Sequence, residues 1–99
     1  VRAVRAARET GGSYLTVSDD NILMAIKSLG AVGVFAEPAG AAAYAGLVKA
    51  VESGSLHPND PVVVLNTGSG LKDVRAAMQA IPEAPIIEPR LEAVKRMIK

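Results

Sequence analysis

Apolar and polar positions change period several times along the chain, and each change marks an element. Val1, Val4 and Ala7 fall at helical spacing, with Arg2, Arg5 and Arg8 towards the other side. This predicts a helix over residues 1–10 whose arginines form a solvated face. Gly11 and Gly12 end it, since glycine tolerates the positive φ of a helix C-terminus. Tyr14, Thr16 and Val17 favour extended backbone and predict a short strand over residues 13–17. Ser18 is a good N-cap, and Asp19 and Asp20 place negative charge at the positive end of the next helix dipole. Those two carboxylates are adjacent, so a helix points them apart, and N-terminal placement explains both. Ile22, Leu23, Ile26 and Leu29 then build one apolar face, and Gly30 stops the helix or weakens its last turn.

Residues 31–36 are apolar and short, a connector or a brief extended segment. Pro38 suits the first position of a helix that runs through Ser53 and ends at Gly54. Ala41, Ala42, Ala43, Ala45 and Gly46 keep that helix thin on nearly every face, which predicts a buried element in close contact with other backbone. Val62, Val63, Val64 and Leu65 form an unbroken apolar run between Pro61 and Gly68, the pattern of a fully buried parallel strand. Asp73 caps a short helix over residues 74–80. Ile86 and Ile87 predict a small strand that Pro89 ends, and a last amphipathic helix over residues 90–99 carries Leu91, Val94 and Ile98. The alternation of helices and strands is that of an α/β fold with an open sheet. Two convincing strands leave both sheet edges open, so the expected unit is a fragment or needs an assembly to complete its sheet. The start at Val1, already inside a helical pattern, points to a piece of a longer protein.

Composition narrows the partners. With 99 residues there is room for one domain, and with aromatics at 3% its interior must be built from Ala, Val, Ile and Leu. A net charge of +1 gives no electrostatic case for nucleic acid, and stacking platforms for single strands are missing. Without cysteine there is no disulfide framework, thiolate metal site or Cys nucleophile, and a cytoplasmic location is the default expectation. The single histidine, His57, sits beside Pro58, Asn59 and Asp60 and reads as a turn residue. The apolar stretch over residues 31–51 is interrupted by Glu37, Pro38 and Lys49, so no membrane span is expected.

Candidate chemistry concentrates in Thr67-Gly-Ser-Gly70, directly after the predicted central strand. Ligands of open α/β sheets bind at the carboxyl ends of the strands. Two readings are open. Positive φ at the glycines would turn backbone N–H groups into an anion nest, with the Thr67 and Ser69 hydroxyls and Lys72 beside it. Alternatively the segment is a strand-to-helix turn whose glycines serve geometry alone. Neither Walker nor GxGxxG spacing is present. Glu37 is equally open: it stabilises its helix by about 0.3–1 kcal/mol, or, flanked by apolar sequence, faces a pocket.

Three segments together carry a resemblance: Val17-Ser-Asp-Asp-Asn-Ile-Leu-Met-Ala-Ile26, Gly33-Val-Phe-Ala-Glu-Pro-Ala-Gly-Ala-Ala-Ala-Tyr-Ala-Gly-Leu47 and Val63-Val-Leu-Asn-Thr-Gly-Ser-Gly-Leu-Lys-Asp73. Their order and spacing resemble the C-terminal part of the threonine synthases, fold-type II enzymes that use pyridoxal 5′-phosphate. The first two segments are shared with threonine dehydratases and serine racemases; the third discriminates, since those relatives usually carry a Ser-Gly-Gly-Asn type of loop. The resemblance implies a partial three-layer open sheet, the C-terminal part of the large cofactor-binding domain, spanning residues 1–99 as one segment. It implies conversion of O-phospho-L-homoserine and water into L-threonine and phosphate, in a homodimer. It also implies that Thr67 hydrogen-bonds the pyridine nitrogen of the cofactor. The family's Schiff-base lysine and phosphate-binding loop lie N-terminal to this region and have no match in it, so the isolated chain is expected to be inactive. Lys27, Lys49, Lys72, Lys95 and Lys99 all lack the expected context, and Ser69 stands where relatives often carry His or Asn. The alternatives are a dehydratase- or racemase-like fragment and a non-catalytic α/β assembly module.

Overall fold

Local capping decides where the helices begin. A computed structural model of the chain describes residues 2–98, so the places expected for Val1 and Lys99 lie outside that range. The elements are α1 (Arg2–Thr10), α2 (Asp19–Ala31), α3 (Pro38–Glu52), a 3-10 turn (Gly70–Lys72), α4 (Val74–Ala80) and α5 (Leu91–Met97). At the start of α2, Ser18 Oγ accepts from Asn21 N–H at 3.2 Å while the Asn21 side chain reaches back to the Ser18 backbone, a reciprocal capping box. Pro38 opens α3, and Asp73 Oδ1 accepts from Ala76 N–H at 3.0 Å to open α4. Positive-φ glycines close three helices: Gly11 after α1, Gly33 after α2 and Gly54 after α3. Gly30 does not stop α2, which continues to Ala31.

The core is small and built of alanine. Helix α3 packs on α2, and α2 packs on α4. Ala25 and Ile26 of α2, Ala41 and Ala45 of α3, Ala76 of α4 and Ala36 form one buried cluster. Ile22, Leu23, Leu29, Tyr44 and Val17 pack around it. The helix expected to be buried is buried along one face only, through Gly40, Ala41, Ala45 and Ala50, while Ala43 and Val48 are exposed. Helices α1 and α5 bury no residue. Arg2, Arg5 and Arg8 are exposed, and Arg5 pairs with Glu9 at 2.7 Å along the helix. The radius of gyration is 17.7 Å, against about 13 Å for a compact domain of this length, so the packed part is only the middle of the chain.

The expected α/β open sheet is not there. Among the described residues no strand forms; the one β contact is an isolated antiparallel bridge between Ala36 and Ser69. Residues 13–17 and 62–65, read as strands, both lie along α3, where Leu15 and the apolar run line a shared groove with Ala42, Ala43 and Leu47. Among the described residues no backbone–backbone hydrogen bond joins either stretch to another segment. The run expected to be fully buried is largely exposed, Val63 at 87%. Residues 86–87 form no strand either, and Ile86 is 100% exposed. The physical reason is that apolar, β-branched sequence favours extended backbone, while a strand exists only when a neighbour takes its N–H and C=O groups.

Ala41 is fully buried between the packed helices. Replacing it with leucine should destabilise the fold by about 1–3 kcal/mol through overpacking, read as a lower midpoint in chemical denaturation.

Candidate functional site

The loop over residues 66–70 is fastened to the entrance of α3 by backbone and by close approach. Glu37 N–H donates to the Gly68 carbonyl at 3.0 Å, and Gly70 N–H donates to the Phe35 carbonyl at 2.9 Å. These two bonds make the bridge between Ala36 and Ser69. Three glycines then let the segments touch. A Cβ on Gly40, in the first turn of α3, would strike the Asn66 side chain and stand 3.3 Å from Thr67 N. One on Gly68 would run into the Glu37 carboxylate, and one on Gly70 into the Phe35 ring.

Gly68 and Gly70 are therefore glycines for lack of space. Neither has positive φ, so the loop does not form the alternating backbone of an anion nest. The helix start behind it is also occupied, by the Asp73 side chain. Of the two readings of this loop, the geometric one describes its glycines.

Thr67 and Ser69 are exposed on the loop. Ser69 Oγ accepts from Leu71 N–H at 3.3 Å and starts the 3-10 turn. The Thr67 hydroxyl has no hydrogen bond within the chain among the described residues, so both its donor and acceptor capacity are available. Lys72, at the end of the turn, reaches Glu37 Oε1 at 3.5 Å. The sequence places Thr67 and Lys72 in one candidate loop and Glu37 apart from it; the fold brings Glu37 to that loop. The sequence reading missed Phe35, Gly40 and Asn66, which hold the loop from behind. The only signal for them was that the Phe35 and Gly40 segment and the Asn66 segment are both motif-bearing stretches.

Other candidates stay apart. His57 lies in the turn as expected, its Nδ1 accepting from Asn59 N–H at 3.2 Å. Asp19 and Asp20 stand exposed at the start of α2. Lys49 donates to the Thr16 carbonyl at 2.6 Å, and Lys27, Lys49, Lys72 and Lys95 are all exposed. Among the described residues no group of acidic, His or Cys side chains is arranged to hold a metal ion. No helix there is long and apolar enough to cross a membrane.

Residues 1–68 match the family described as pyridoxal-phosphate dependent enzyme, and the chain belongs to that family. Its similarity to individual proteins is sharper. It is 44% identical over 91 residues to the threonine synthase of Halalkalibacterium halodurans, covering 91% of this chain and 26% of that protein. It is 36% identical over 98 residues to the threonine synthase of Methanosarcina acetivorans, covering 98% of this chain and 24% of that one. The threonine synthase of Mycobacterium tuberculosis is 43% identical over 81 residues, 81% of this chain and 22% of the relative. The chain thus spans about a quarter of the length of these curated relatives.

The two loop glycines separate by what a new methyl would meet. Gly70 is buried against an aromatic ring, so Gly70→Ala should destabilise by about 1–3 kcal/mol. At Gly68 the obstacle is the end of a side chain that can swing aside, so Gly68→Ala should cost less. Thermal denaturation of the two variants side by side checks the order.

Proposed function

We propose that this chain supplies part of the cofactor-binding domain of a threonine synthase, an enzyme that converts O-phospho-L-homoserine and water into L-threonine and phosphate. The observation that carries this reading is the series of threonine synthases matching it at 36–44% identity over most of its length.

Thr67 fits one edge of pyridoxal phosphate. Its hydroxyl stands on an exposed loop with no internal partner, and it is neutral, which suits a hydrogen bond to the pyridine nitrogen. When bound, the cofactor supplies an electron sink for the substrate's carbon skeleton. At Thr67 the chain's contribution is orientation: the hydroxyl holds the ring edge and, unlike a carboxylate, does not keep a proton on the nitrogen. Gly68, Ser69 and Gly70 continue the wall beside it. The lysine that joins the cofactor covalently belongs to sequence outside this segment in this reading.

In an enzyme-length protein carrying this segment, Thr67→Ala should shift the absorption of the bound cofactor. It should also lower turnover about tenfold or more, the worth of one hydrogen bond to the ring. Thr67→Ser should keep most of both. Unchanged absorption and turnover in Thr67→Ala would reject the assignment. Phosphate release from O-phospho-L-homoserine separates this reading from a dehydratase- or racemase-like enzyme, which has no phosphate to release.

A further inference from the structure

Glu37 meets Gly68 in two ways. The Glu37 N–H holds the Gly68 carbonyl, and the Glu37 carboxylate lies where a Gly68 side chain would stand. That carboxylate is oddly used. It sits at the N-cap position of α3 yet makes no capping hydrogen bond. A capping carboxylate turns back onto its own helix; this one turns away, onto the loop. Its side chain is only 17% exposed, and its ion partner is Lys72, from the far end of the same loop.

We propose that Glu37 and Lys72 act as one positioning pair for the Thr67 hydroxyl, a role that rests on the reading of Thr67 as the partner of the ring nitrogen. Among the described residues the Thr67 side chain has no hydrogen bond to hold it. Its backbone is fixed by its neighbours: Asn66 against Gly40 on one side, Gly68 under the Glu37 carboxylate on the other. Lys72 draws the carboxylate across Gly68 and closes the loop over α3. The same pairing offsets the negative charge of the carboxylate at Gly68, one residue from Thr67.

The test uses the enzyme-length protein with Glu37→Gln, Lys72→Met, the double variant and Thr67→Ala. Two readouts are taken: absorption of the bound cofactor, and the equilibrium for its release in dialysis. Each single variant should loosen the cofactor about two- to fivefold, the strength of an ion pair with one exposed partner. Each should also move the absorption, and the double variant should lose no more than the larger single loss, since one interaction is removed twice. Additive losses, or absorption unmoved in both single variants, would overturn the pair. If Thr67→Ala also leaves absorption unmoved, the reading of Thr67 fails beneath it; if only Thr67→Ala moves it, the pair alone fails. Lys72 is exposed, so Lys72→Met leaves the fold intact and decides the matter should Glu37→Gln lower the melting temperature.

Discussion

Two backbone hydrogen bonds hold the middle of this molecule in register. They run between residues 35–37 and 68–70, and they are the only backbone bonds joining segments distant in sequence among the described residues. They fix the register of the glycine loop at the entrance of α3. With them, the loop's hydroxyl, the Glu37 carboxylate and the Lys72 ammonium become neighbours although some thirty-five residues separate the last two. A short bridge can do this because the surrounding surfaces are thin. Gly40, Gly68 and Gly70 remove the side chains that would keep the two segments apart.

The same economy of volume runs through the core. Five of the six residues in the buried cluster are alanine. Small side chains shorten the distance between helix axes, so the contact rests on close packing over a small area rather than on large apolar groups. The cost is sensitivity: Ala41 is fully buried and leaves little room for an added methylene. Other large apolar residues, including Val63, Leu65 and Ile86, lie outside the packed middle and are exposed.

The loop glycines left two readings open in the sequence, and the structure decides between them. Glycines after an apolar run suggest positive φ and an anion nest, and the positive-φ glycines turned out to be Gly11, Gly33 and Gly54, each closing a helix. Gly68 and Gly70 are there because Glu37 and Phe35 need the space. No local pattern distinguishes these uses, since both are served by the missing Cβ. Glu37 was legible as a helix-start carboxylate flanked by apolar sequence; that it abandons its helix for Gly68 and Lys72 depends on where a distant loop lands.

What the sequence determined by itself was local. Ser18 with Asn21, Pro38, Asp73 and the closing glycines set the helix limits to within a few residues, because caps act through hydrogen bonds spanning three or four positions. The three motif segments were enough to indicate the family. Tertiary structure alone decided the rest. Whether residues 62–65 are a strand depends on a neighbouring ladder, and here there is none among the described residues. Whether Thr67, Glu37 and Lys72 share a site depends on a bridge between Ala36 and Ser69. Extended pairing and close approach are relations between segments, and their energy is absent from either segment read alone.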